Sequence, residues 1–214
     1  MMLSADDADL GFATDRQAGD RRVRLVTPDD WISVESFVPA GARAWLDAQG
    51  FAPQTGKVAR LPGDDGQPGD HVLGAADGAD AWAWAALAET ASPGRYVPLD
   101  ARGETLESDA QSQAAFGWLL GRHGFKAGAP TQPARDVTLV LDSTAGFQDK
   151  LVEARAILWS RWLIDTPANM LGPDALEREL NDRFTALGAT VSVIRGDDLL
   201  TANFPGIHVV GQAA

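Results

Sequence analysis

Metal ligation and nucleophilic catalysis need particular side chains at particular spacings, and the histidines here are His71, His123 and His208. They stand far apart, with no His-x-x-x-His pair to set two imidazoles on one helix face. Each reads as an ordinary strand or helix residue. The sequence has no cysteine, which excludes disulfides, thiolate nucleophiles and cysteine-ligated zinc. The segment LPGDDGQPGD, Leu61 to Asp70, gathers three aspartates, but it lacks the alternating ligands and closing glutamate of a calcium-binding EF-hand loop. Its Gly, Pro and Asp content predicts a solvated loop. No Gly-x-Ser-x-Gly elbow, Walker loop or Gly-x-Gly-x-x-Gly fingerprint occurs.

The elements that would position any site alternate in kind. Runs rich in Val, Leu or Ile predict strands at Arg22 to Thr27, Thr55 to Leu61, His71 to Ala75, Arg95 to Leu99, Asp136 to Asp142, Thr190 to Arg195 and Ile207 to Gly211. Helices are predicted over Ala40 to Gln49, stopped by Gly50, over Asp80 to Thr90, and over Asp109 to Arg122. In the last of these Ser108 is placed to cap, and Ala114, Trp118 and Leu119 mark an inner face. Strand, helix, strand alternation is the signature of an α/β layered fold.

From Ser143 or Thr144 a long helix is predicted through Leu163. Phe147, Leu151, Ala154, Leu158 and Trp162 form one apolar stripe, and Val152, Ala156, Trp159 and Leu163 form a second beside it. Such a helix is expected to be buried on more than one side, joining two domains, with Trp159 and Trp162 packed in a core. Next, Gly172-Pro173 starts a helix that stops at Gly188. A strand, a short helix from Asp197 to Ala202 and a final strand follow. Ile207, Val209 and Val210 would present apolar side chains on both faces of that last strand, as in a parallel sheet covered by helices. Two strands and one helix are too few to cover them, and each such side chain left exposed forgoes about 1.5–3 kcal/mol. More sequence or a partner chain is therefore expected to complete this layer.

Composition narrows the class. Hydrophobic residues make up 45% and charged residues 22% of 214, an ordinary globular balance. The net charge is -12, with 30 acidic against 18 basic residues, so nucleic acid is a poor partner. The one basic cluster, Arg21-Arg22-Val23-Arg24, is expected to flank a strand and point to solvent. The acidic N-terminus resembles no signal peptide, and no run of 18 apolar residues occurs. A cytoplasmic location without a membrane partner is expected.

Residues Ala154 to Phe184, ARAILWSRWLIDTPANMLGPDALERELNDRF, followed by GATVSVIRGDDLLTANFPGIHVVGQAA, resemble the opening of the leucyl aminopeptidase catalytic domain. The resemblance is carried by Arg161, Leu163, Ile164, Asp165, Thr166, Pro167, Asn169, Pro173, Leu176, Gly188, Val191, Val193, Val210 and Gly211. It extends upstream to AAFGWLLGRHGFKAG, Ala114 to Gly128, and is loose before residue 110. Asp165, Thr166, Pro167 and Asn169 make a structural turn, in which Pro167 fixes the backbone, Thr166 is extended and Asn169 is able to bond neighbouring backbone. Met170-Leu171 departs from the Asp-Met common in relatives.

The resemblance implies an N-terminal macro-like α/β domain (residues 1–145), a joining helix (146–165) and the start of an α/β peptidase domain (166–214). It also implies two divalent metals, manganese or zinc, that activate water against a peptide substrate, and hexameric assembly. The family's ligand motifs resemble Lys-Gly-x-x-Phe-Asp-(Ser/Thr)-Gly-Gly and Asn-Thr-Asp-Ala-Glu-Gly-Arg. Neither occurs, and Lys57, Lys126 and Lys150 lack those neighbours. The family's order places both motifs beyond residue 214, so no catalytic or metal residue and no bound cofactor is expected in this chain. The competing expectation is a free-standing macro-like binding or scaffolding module. Its phosphate loop would have to be GAADGAD, Gly74 to Asp80, whose aspartates oppose an anion.

Overall fold

The computed structural model describes residues 11–63, 68–122, 136–142 and 147–212. Its strands are β1 (Phe12–Ala13), β2 (Arg21–Val26), β3 (Val58–Pro62), β4 (Pro68–Gly74), β5 (Gly94–Leu99) and β6 (Val137–Val140). Its helices are α1 (Pro28–Ile32), α2 (Ala42–Ala48), α3 (Ala81–Thr90), α4 (Ser108–Arg122), α5 (Gln148–Asp165), α6 (Pro173–Ala186), α7 (Asp198–Thr201) and α8 (Pro205–Gly211). The chain divides into two compact units, one ending at Asp165 and the other starting at Thr166. Among the described residues no helix is long and apolar enough to cross a membrane.

In the first unit the strands form one sheet ordered β1-β6-β5-β2-β4-β3. Neighbours are parallel except at the β3–β4 edge, which is antiparallel. Side chains alternate across a strand, and β2 shows what each face buries. Val23 and Leu25 join Leu73, Tyr96 and Leu139 in a core roofed by Trp84 and Leu87 of α3 and by Trp118 of α4. Val26 turns to the opposite face, where it packs with Leu61, Val72 and Leu46 of α2. The α/β class follows from helices covering both faces of a mainly parallel sheet.

Helix ends follow the sequence. Gly50 takes φ 65°, a left-handed conformation open to glycine at little cost, and the Phe51 N–H returns to the Leu46 carbonyl at 3.0 Å. Ser108 is not a cap but already the first residue of α4. The start of α5 expected at Ser143 or Thr144 lies outside the described residues. Leu151 and Ala154 of α5 are buried, whereas Val152 is 64% exposed and Trp159 and Trp162 are half-buried. The first apolar stripe thus meets the core over its N-terminal part, and the two tryptophans are not core residues.

Two surface expectations are corrected. The arginines of β2 do not simply point to solvent: Arg24 bonds the Asp70 carboxylate at 2.9 Å, with its side chain 13% exposed, and reaches the carbonyls of Phe37 and Ala101. Arg22 shares the same carboxylate at 2.8 Å. Asp70 is therefore a strand residue held by two guanidiniums. The two ends of the Leu61 to Asp70 segment belong to β3 and β4, and residues 64–67, where a solvated loop was expected, lie outside the described residues.

The second unit departs most from expectation. Pro173 opens α6 as anticipated, and Gly188, at φ 82°, follows its last turn. Residues 190–195, expected as a strand, have no regular structure. Ile207 to Gly211, expected as a strand, lie in α8. A strand's N–H and C=O groups are satisfied by neighbouring strands, and among the described residues none pairs with either segment. With Pro205 at the first helical position, the backbone satisfies itself locally: the His208 N–H reaches the Phe204 carbonyl at 3.3 Å. The expectation that the apolar side chains lack cover holds, since Ile207, Val209 and Val210 are 61%, 62% and 74% exposed.

Candidate functional site

The turn singled out in the sequence forms where α5 ends. Asp165 is the last residue of that helix, and the Pro167 carbonyl accepts the N–H groups of Met170 at 2.8 Å and Leu171 at 2.9 Å. The backbone closes this turn. Among the described residues the Asn169 side chain has no hydrogen-bond partner in it.

In a parallel α/β sheet, ligands gather beyond the carboxyl ends of the strands where strand order reverses, here after β2, β4 and β5. That edge is occupied by its own side chains. Asp80 accepts the N–H groups of Trp82 at 3.0 Å and Ala83 at 3.2 Å, the donors a phosphate would use at the N-terminus of α3. Its other oxygen accepts the Thr55 hydroxyl at 2.7 Å and the Ala76 N–H at 2.8 Å. After β6, Asp142 is held by Arg16 at 2.6 Å. The GAADGAD loop is thus a self-capped helix start, which weighs against the anion-binding module.

Polar and charged groups do converge at the opposite end of the sheet. A cavity of about 290 Å³ is lined by Val58, Arg60, His71, Leu87, Thr90 and Tyr96 among others. Register sets this grouping, with Arg60 opposite His71 on β3 and β4 and Arg21 opposite Tyr96 on β2 and β5. Arg21 donates to the Tyr96 hydroxyl at 2.7 Å, and that hydroxyl donates to the Ser92 carbonyl at 2.7 Å. The His71 and Tyr96 rings meet edge to face at 5.7 Å. His71 is 8% exposed, and its Nδ1 is buried without a hydrogen-bond partner.

Burial first, then the charges of Arg60 and Arg21, push the His71 imidazole down to about 4, against weaker upward effects of the Arg22 carbonyl and Asp70. This histidine read as ordinary in the sequence because its neighbours come from four separate strands and one helix. His208 instead lies 3.1 Å from Asp197 in the second unit, and His123 is outside the described residues.

The family described as M17 aminopeptidase, N-terminal domain, matches residues 23–141. Leucine aminopeptidase 1 of Caenorhabditis elegans is 53% identical over 51 residues, which are 24% of this chain and 10% of that protein. Among solved structures, the cytosol aminopeptidase from Coxiella burnetii aligns with 89% of this chain and 41% of its own, at TM-score 0.64 and 22% identity. The bottromycin maturation enzyme BotP in complex with Mn aligns with 86% of this chain and 40% of its own, at TM-score 0.61 and 20% identity. Those two likenesses speak for the fold. This chain spans 41% of the Coxiella chain and 10% of the curated relative.

Proposed function

The chain belongs to the M17 aminopeptidases through its N-terminal domain, and from that premise we propose that it is the N-terminal portion of a leucyl aminopeptidase releasing amino-terminal residues from peptides. The match over residues 23–141 carries the reading, and the identity of 53% over 51 residues to a leucine aminopeptidase supports it. Residues 1–145 act as the N-terminal domain, 146–165 as the joining helix, and 166–214 as the opening of the peptidase domain, with the Asp165, Thr166, Pro167 and Asn169 turn as its structural entry. The complete enzyme works in the cytoplasm as a homohexamer with two divalent metals, manganese or zinc. Manganese gains support from BotP, which was solved in complex with Mn.

The residues described here do not fit a two-metal cage. Among them no group of three or more His, Asp or Glu side chains is placed to hold an ion. The carboxylates of the first unit with the fullest hydrogen bonding are engaged elsewhere, Asp80 by backbone N–H groups and Asp70 by two arginines. No catalytic step is assigned to this chain; its contribution is scaffold. Purified chain supplied with manganese or zinc is therefore expected to leave leucine p-nitroanilide intact. Metal-dependent release of p-nitroaniline, scaling with chain concentration, contradicts this.

A further inference from the structure

The cavity beneath the end of α3 has no part in the aminopeptidase reading. Buried polar atoms are nearly always paired, and leaving one unpaired is costly. The Nδ1 of His71 is such an exception, on a side chain that is 92% buried by its 8% exposure and that lines the cavity. Beside it stands Arg60, whose guanidinium has no hydrogen bond or ion pair among the described residues. This contrasts with Arg21, Arg22, Arg24 and Arg95, each bonded to a side chain or carbonyl.

The charges around the cavity are one-sided. Arg60 contributes from β3 and Arg21 from β2, while Asp70 of β4 is tied to Arg22 and Arg24. On α3, Glu89 is exposed and is not among the lining residues. In a chain of net charge -12 this is a local excess of positive charge that has no counter-ion among the described residues. The remaining wall mixes the apolar side chains of Val58, Leu87 and Ala91 with the polar Gln49, Thr90 and Ser92. Charge at one side and aliphatic surface at the other is the complement of a small amphiphilic anion.

We propose that this cavity binds a small aliphatic carboxylate, with the Arg60 guanidinium as its charge partner, a ring N–H of His71 as a donor, and Val58, Leu87 and Ala91 against its carbon chain. Arg21 acts indirectly by holding the Tyr96 hydroxyl. The Arg22 carbonyl already faces the ring, so the N–H that donates to the ligand is gained when the bound carboxylate offsets the burial and the Arg60 and Arg21 charges that keep His71 neutral.

The test is NMR of the His71 ring protons in the full chain, titrated with isovalerate, with 3-methylbutan-1-ol as the same chain without charge and inorganic phosphate as charge without the chain. Isovalerate is expected to shift the His71 signals saturably and the alcohol and phosphate to do so much more weakly. Arg60→Gln, an exposed strand position, should keep the wild-type melting temperature and weaken isovalerate binding about tenfold or more, the order of one charge-assisted contact. No saturable shift of His71, an unaltered affinity in Arg60→Gln, or phosphate binding as tightly as isovalerate would each overturn the assignment. None of these outcomes touches the aminopeptidase reading, which stands on a different experiment.

Discussion

Gly117→Ala is expected to destabilise the first unit by about 3 kcal/mol or more, although alanine is the better helix former. At an unobstructed helix position the same exchange stabilises by roughly 0.5–1 kcal/mol. A Cβ added at Gly117 would lie 1.8 Å from the Ala81 carbonyl oxygen, and one at Gly121 would lie 2.0 Å from that of Ala85. Both obstacles are backbone of α3, so no side-chain rotation relieves them and the two helices must separate. Trp84 and Trp118, 1% and 0% exposed, would then lose their packing. Urea unfolding followed by tryptophan fluorescence measures the effect. A midpoint equal to or above wild type means that α3 and α4 do not approach as described.

Asp80→Asn should cost about 1–3 kcal/mol: the amide oxygen still caps the N–H groups of Trp82 and Ala83, but the new NH2 faces the Ala76 N–H and leaves that donor unpaired. The residue is 8% exposed. Burial alone would raise its pKa, but the N–H of Ala76, the Thr55 hydroxyl and the N–H groups of Ala83 and Trp82 outweigh burial and hold it below the ordinary 3.8. The sign follows by linkage. A carboxyl depressed in the folded state adds stability that is present above 3.8 and is lost as pH falls through the lower folded value. Wild type should thus weaken on acidification below about pH 4, and Asp80→Asn should show a shallower fall there. Equal slopes for the two proteins in acid denaturation would rule out this role.

Much of the first unit was legible because its signals are local. Five of its six strands coincide with runs rich in Val, Leu or Ile, and α2 ends where Gly50 says it must. Pro173 and Gly188 mark α6 in the same way. What escaped depends on partners distant in sequence. Arg24 and Asp70 are 46 residues apart, so pairing across the sheet turned an expected surface charge and an expected loop aspartate into a half-buried ion pair. Gly117 and Gly121 read as neutral helix residues until the carbonyls of α3 stand over them. β1 is two residues long, too short for any periodicity.

The second unit was misread for a physical reason. Val191, Val193, Ile207 and Val209 have the composition of strands, but composition supplies no hydrogen-bond partners, and a strand without a neighbour is not stable. The Arg195 guanidinium grips the Glu177 carboxylate, with Nε to Oε2 at 2.7 Å, and this tie to α6 does not replace a sheet. Of the candidate site, the sequence singled out Asp165, Thr166, Pro167 and Asn169 as a turn, and the backbone bonds there run from the N–H groups of Met170 and Leu171 to the Pro167 carbonyl; the His71 cavity was not legible, because register brings it together.

Hydrogen exchange of the purified chain, read residue by residue, asks most directly whether the segments after Thr166 lack cover within this chain. Amides of 190–195 and of α8 should exchange orders of magnitude faster than those of β2 and β5, because few buried apolar contacts oppose local opening. Protection of those segments equal to that of β2 would mean that this chain encloses them by itself, which contradicts the account.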